Sequence, residues 1–284
     1  MTDHAIAAGR SSRVLSLTPF IALALAVAGA VLLLAVPFGW RFGLWHFRTS
    51  FQMVTWAQDL ALAAAAVAAL GLLFARATLS GASRALAGAL VLLGLVVVYV
   101  PWQWAQIRGP RPPINDITTD AVNPPPLVAS LPAREAENAV SPAYGGAAVA
   151  TQQHTTYPDI APVTIAVPPP QAFQRALSAA RAMRGWTILV SDSATGIIEA
   201  SDTTLYFGFT DDVVIRVTPD IAGSRIDIRS HSRQGRGDFG INAARVHKYL
   251  TALRAIASER KLSAVSYEPP AKFAALPHGR EGMS

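Results

Sequence analysis

The chain has 284 residues, of which 51% are hydrophobic and only 15% charged, and its net charge of +6 comes almost entirely from arginine. Soluble domains carry about 25% charged residues, so part of this chain is expected to avoid water. The absence of cysteine excludes disulfides, thiolate metal ligands and cysteine nucleophiles. Scattered arginines make no nucleic-acid footprint, and six histidines without zinc spacing assign no metal or other cofactor.

In chain order, residues 1–13 read as a cytoplasmic N-terminus and Val14–Val36 as a first membrane span, since roughly 20 uncharged apolar residues cross a 30 Å hydrocarbon layer. Arg10, Arg13 and Ala26-Val27-Ala28 imitate a cleavable leader, but the apolar run continues too far and two more follow. Pro37–Val54 interleaves Phe38, Trp40, Phe42, Trp45, Phe47 and Phe51 with Arg41, His46 and Arg48, and is expected to lie along the bilayer surface. Among so many aromatic rings, His46 points to an interface and not to a heme. A second span is expected at about 55–75, with Trp56 and Asp59 at headgroup level, and a third at about 84–104, closing on Pro101-Trp102-Gln103-Trp104.

Arg10, Arg13, Arg76 and Arg84 on one side, against Arg41, Arg48, Arg108 and Arg111 on the other, orient the N-terminus inward. Three crossings then place the C-terminal half outside the cytoplasm of an inner (plasma) membrane, in the periplasm of a two-membrane bacterium.

Residues 106–156 are rich in proline and alanine and are expected to be mostly a tether, with an ordered motif at 114–120. An α+β domain is predicted over 157–262, followed by a disordered tail, 263–284. Its strands are expected at 163–167, 186–190, 196–201, 205–209, 213–218 and 225–230. A helix with Phe173, Ala176, Leu177, Ala180 and Met183 on one face should end near Gly185, and a last helix should run from about Ile241 to Glu259. The fold class is therefore α+β, an antiparallel sheet of about five or six strands with two helices on one face in two layers. Alternation in the last hairpin buries Val213, Ile215, Val217, Ile226 and Ile228 together and sets Arg216 opposite Asp227, with Glu199 on the same polar face.

Asn115-Asp116-Ile117-Thr118-Thr119-Asp120, Tyr157-Pro158-Asp159, Gly185-Trp186, Ile198-Glu199-Ala200, Gly208 to Val217, and above all Asp227 to Arg233 leading to Gly240-Ile241-Asn242-Ala243-Ala244-Arg245 resemble the bacterial domain-of-unknown-function family numbered fourteen ninety-nine. The resemblance runs from Ile114 to about Leu253. It implies one domain that includes residues 115–120, and it implies no activity.

Gly235 to Gly240 spells G-x-G-x-x-G, but an antiparallel hairpin before it and no strand after the helix exclude a dinucleotide fold; turn glycines and an Asp238 cap are expected instead. The loop with Arg229, His231, Arg233 and Arg236 precedes a helix N-terminus and suits phosphate or carboxylate. The candidate binding residues are Arg216, Arg229, Arg233, Asn242 and Arg245, unless Arg233 or Arg245 instead pairs with Asp238, Asp211 or Asp212. The acidic residues of the motifs are Asp116, Asp120, Asp159, Glu199, Asp211, Asp212, Asp227 and Asp238. Turn and capping roles suit them; acid–base work in a membrane-bound, aspartate-dependent or metal-dependent hydrolase is the competing expectation. The leading one is a non-catalytic envelope module, set in the lipid bilayer, that binds a protein, a lipid headgroup or another anionic ligand, and no nucleic acid.

Overall fold

A computed structural model describes residues 17–108 and 111–265. The N-terminus, the first residues of the expected first span and most of the expected tail lie outside the described residues. Two compact units are present. The first holds the N-terminal helices with Thr203–Asp211 and Ser232–Phe239; the second holds Ile114–Asp202, Asp212–His231 and the chain from Gly240 on.

In the first unit, α1 (Thr18–Arg41), α2 (Phe47–Phe74) and α3 (Gly81–Arg108) are long, and each contains a stretch apolar enough to cross a membrane. At 1.5 Å per residue the 24 residues of α1 span about 36 Å. Pro37–Val54, expected to lie along the bilayer surface, is not a separate element. Instead α1 runs on through Pro37 to Arg41, and α2 begins at Phe47. Gly43 closes α1 in the left-handed region, with its N–H bonding the Trp40 carbonyl at 3.1 Å and that of Leu44 bonding Gly39 at 2.7 Å. His46 then starts α2 by accepting from the Arg48 N–H at 3.3 Å. The aromatic rings of this stretch decorate two helix ends around a five-residue turn.

Small residues set the helix contacts, as expected where lipid removes any hydrophobic drive between helices. Ala22, Ala68 and Ala87 are fully buried. A Cβ on Gly29 would meet the Ala57 carbonyl oxygen at 3.1 Å, and one on Gly94 would collide with the Ala65 methyl.

The second unit is built on a six-stranded antiparallel sheet. Its strands are β1 (Asp116–Thr118), β2 (Val163–Ile165), β3 (Trp186–Asp192), β4 (Ile197–Thr203), β5 (Thr210–Asp220) and β6 (Gly223–Ser232), in the order β1-β6-β5-β4-β3. The free side of the ten-residue β6 is shared: β1 pairs Asp116 with His231, and β2 pairs Val163 with Ile226. The resemblance-bearing motif at 115–120 is thus an edge strand of the sheet. The strand expected at 205–209 does not form. That stretch is a turn, in which Gly208 has φ +71 and the Thr204 N–H reaches the Phe209 carbonyl at 2.8 Å.

Helices α6 (Pro169–Ala182) and α7 (Ile241–Val265) cover one face of the sheet. Phe173, Ala176 and Leu177 of α6 and Val246, Leu250 and Leu253 of α7 pack with Val213, Ile215, Ile226 and Ile228. Tyr249 joins the layers: its hydroxyl donates to the Ala176 carbonyl at 3.2 Å, and its ring stacks on Trp186 at 5.8 Å. The architecture is α+β, as the periodicities indicate.

The second face of the sheet is not open. Residues 120–156, expected to be largely a tether, contain α4 (Leu131–Ala136) and α5 (Gly146–Thr156) and bury Leu127, Ser130, Arg134 and Gln153. The physical reason is that polar anchors order this segment more than apolar area does. The Gln153 amide, for example, accepts from the Thr118 N–H at 3.0 Å and donates to the Thr118 carbonyl at 2.7 Å, completing the outer edge of β1 as a neighbouring strand would.

Candidate functional site

Period-two alternation turns Glu199, Asp212, Arg216, Asp227, Arg229 and His231 away from the α6–α7 layer, all on one face of β4, β5 and β6. The strap formed by residues 121–145 lies over them. The polar face expected from the alternation is a buried network, and every carboxylate in it is answered by donors.

Arg229 grips Asp116 with two parallel bonds, Nε to Oδ1 at 2.9 Å and Nη2 to Oδ2 at 2.8 Å. Its remaining N–H groups hold the strap by donating to the carbonyls of Pro125 at 3.2 Å and Pro142 at 2.7 Å. Tyr144 lays its ring 5.8 Å from the same guanidinium. Arg134 reaches down from α4 to the fully buried Asp212 at 2.7 Å and also donates to the Val140 carbonyl at 3.0 Å.

His231 lies between these two arginines. Its Nδ1 is 3.4 Å from Arg134 Nη2, and since a guanidinium can only donate, Nδ1 accepts and the ring proton sits on Nε2. Burial first, then the charges of Arg134 and Arg229, push its pKa down from 6.5 to about 3, so the ring is neutral. Burial also pushes the Asp116 carboxyl up, against the pull of the Arg229 fork and of Arg134.

Glu199 receives four donors from the strap: the N–H groups of Val128 at 2.8 Å, Ala129 at 2.9 Å and Ser130 at 3.2 Å, and the Ser130 hydroxyl at 3.3 Å. A carboxylate from the sheet thereby fixes the turn that leads into α4. Glu199→Ala is expected to strand those donors and cost about 3 kcal/mol. It should lower the urea midpoint of the domain and make 128–139 the first point of proteolytic cleavage.

Asp227 binds Arg225 at 2.9 Å and Arg216 at 3.4 Å, the cross-strand pair expected from the hairpin, and accepts from the Thr119 hydroxyl at 3.2 Å. Arg216 also reaches Asp120 at 3.0 Å and the Asn123 carbonyl at 2.9 Å. Asp120 in turn accepts from the N–H groups of Val122 and Asn123, closing the turn out of β1.

The other expected binding residues lie elsewhere. Asn242 and Arg245 are on α7 against the opposite face, where Asn242 Oδ1 accepts from the Ser230 hydroxyl and from Arg245, both at 2.6 Å. Arg245 pairs with Asp202 at 3.0 Å. Arg233 and Asp211 are buried in the first unit, while Asp159 is exposed beside His247 at 3.4 Å. Asp238 stands three residues before the first residue of α7. Among the described residues, no group of three or more His, Asp or Glu side chains could hold a metal ion.

Residues 116–253 match the model of a family described as a protein of unknown function, DUF1499. They form a DUF1499 domain. No curated protein matches the chain. A solved structure that does match is the crystal structure of protein CV1439 from Chromobacterium violaceum, at 12% identity and a TM-score of 0.22, covering 34% of this chain and 92% of that one. The DUF1499 domain so delimited includes the whole strap. Sequence reasoning missed Arg134, Tyr144 and Gln153 because they sit in a composition-biased stretch. One signal was there: Arg134 is the sole lysine or arginine between Arg111 and Arg175.

Proposed function

We propose that the protein is a non-catalytic interaction module of the cell envelope, held in the inner (plasma) membrane by its three apolar helices. In this reading the DUF1499 domain faces the extracytoplasmic side and takes a partner protein as an added strand on β3. The observation that carries it is the state of that edge. β3 ends the sheet with β4 as its one neighbour among the described residues, is seven residues long, and has neither lysine nor proline to block pairing, although an irregularity between Ile188 and Val190 interrupts its register with β4. Leu189 and Val190 are 40% and 37% exposed on it. Strand addition uses such an edge, with main-chain bonds for affinity and alternate side chains for choice. Support for the orientation comes from Arg10 and Arg13 before the first helix and Arg76 and Arg84 around the second turn.

Anion binding by the arginines of the polar face is less favoured, because Arg134 and Arg229 already spend their donors on Asp212, Asp116 and strap carbonyls. The test is a photo-crosslinking residue at Leu189 of the intact protein in its native membranes, with the same residue at Leu131 as control. A discrete protein adduct at Leu189 alone, lost in Val190→Lys, is the expected result. No adduct at Leu189, or a hydrolytic turnover abolished by Asp116→Ala, overturns the reading; a C-terminal reporter fusion active only in the cytoplasm overturns its orientation.

A further inference from the structure

The β4–β5 turn, Thr204–Phe209, belongs to the compact unit of the apolar helices, and its contacts there are specific. Phe207 and Phe209 stack on each other at 5.1 Å, and Phe51 of α2 packs against them at 5.3 and 6.0 Å. Arg41, the last residue of α1, donates to the carbonyls of Thr204 and Leu205. The Tyr206 hydroxyl donates to the carbonyl of Leu33.

That last bond has a cause in the sequence. In an α-helix the Leu33 carbonyl would accept from the N–H of residue 37, but residue 37 is proline and has none. Tyr206 supplies the missing donor. Backbone groups left unpaired at hydrocarbon depth are not tolerated, because no water reaches them there. Leu33 and Arg41 are eight residues apart, about 12 Å along the helix, so the turn follows the stretch of α1 that leads from the charged end into the apolar run. Apolar side chains are open here: Leu205 of the turn is 92% exposed, and Phe42 and Leu44, which follow Arg41 in the α1–α2 turn, are each 71% exposed. A patch of this kind, continuous with helices long and apolar enough to span a bilayer, marks a lipid contact.

We infer that the β4–β5 turn is a fourth membrane contact, an interfacial anchor whose ligand is the headgroup–acyl boundary of the bilayer. Leu205 and the Tyr206 ring enter lipid, Arg41 holds the turn at headgroup level, and the Tyr206 hydroxyl satisfies the carbonyl orphaned by Pro37. The inference is independent of the β3 edge.

The chain has no cysteine, so single spin labels can be placed in the full-length protein in phosphatidylcholine–phosphatidylglycerol nanodiscs. A label at Leu205→Cys is expected to collide several-fold more with oxygen, relative to a water-soluble nickel reagent, than one at Ile221→Cys, the fully exposed turn residue at the other end of β5. Equal nickel access at the two positions overturns the anchor. Tyr206→Phe should raise the mobility of the Leu205→Cys label in the native background and leave it unchanged in a Pro37→Ala background, where a main-chain donor is restored. An equal effect in both backgrounds overturns the role given to the Tyr206 hydroxyl.

Discussion

Replacing Arg229 with methionine is expected to destabilise the DUF1499 domain by about 3–5 kcal/mol, the usual cost of leaving one charge of a buried pair uncompensated. Asp116 would remain buried with its nearest cation removed, and the carbonyls of Pro125 and Pro142 would lose the donors that hold the strap. The double variant Asp116→Leu with Arg229→Met should recover most of the loss, because the desolvation of both charges disappears with them. Arg225→Met is the contrast. Arg225 is 39% exposed, and Asp227 keeps Arg216 and Thr119, so about 1 kcal/mol or less is expected. The urea midpoint of the intact protein in detergent reads all three. An Arg229→Met effect no larger than that of Arg225→Met would mean that the pair is not the strap's clamp.

That clamp also explains where the sequence was readable. Val213, Ile215, Val217, Ile226 and Ile228 alternate strictly, and their burial against α6 and α7 follows from the pattern alone. The same alternation points Asp227 and Arg216 the other way, and they do pair. What periodicity cannot see is which residues cover a face whose cover is held by charge. The strap offers hardly any apolar period; what fixes it is Glu199 bonding Val128, Ala129 and Ser130, some 70 residues away, and Arg134 finding Asp212. Composition therefore read as disorder in a segment whose order is polar and long-range. In the aromatic stretch at 37–54 the helix boundaries were hidden for a different reason: Gly43 and His46 stop and restart a helix within a few residues, and aromatic content outweighed those two signals.

Stability is expected to fall as the pH drops below 6.5, chiefly because of His231. Its pKa in the fold is pushed down to about 3, so below 6.5 the unfolded chain takes up a proton that the folded one refuses. The neutral ring's contribution is thus fully present above 6.5 and is lost progressively as pH falls toward 3. At about 1.4 kcal/mol per pH unit, the loss between pH 6.5 and pH 4 amounts to about 3 kcal/mol. Asp116 runs the other way: burial raises its pKa in the fold, so just above 3.8 the folded carboxyl holds a proton that the unfolded one has released, and its ionisation costs stability as pH rises. His231→Asn separates the two. Asparagine keeps an acceptor for Arg134 and does not titrate, while Asp116 is common to both proteins. Urea midpoints measured from pH 7 to pH 4 should therefore fall more steeply for the native chain than for the variant, and parallel profiles would show that His231 is not held neutral between Arg134 and Arg229.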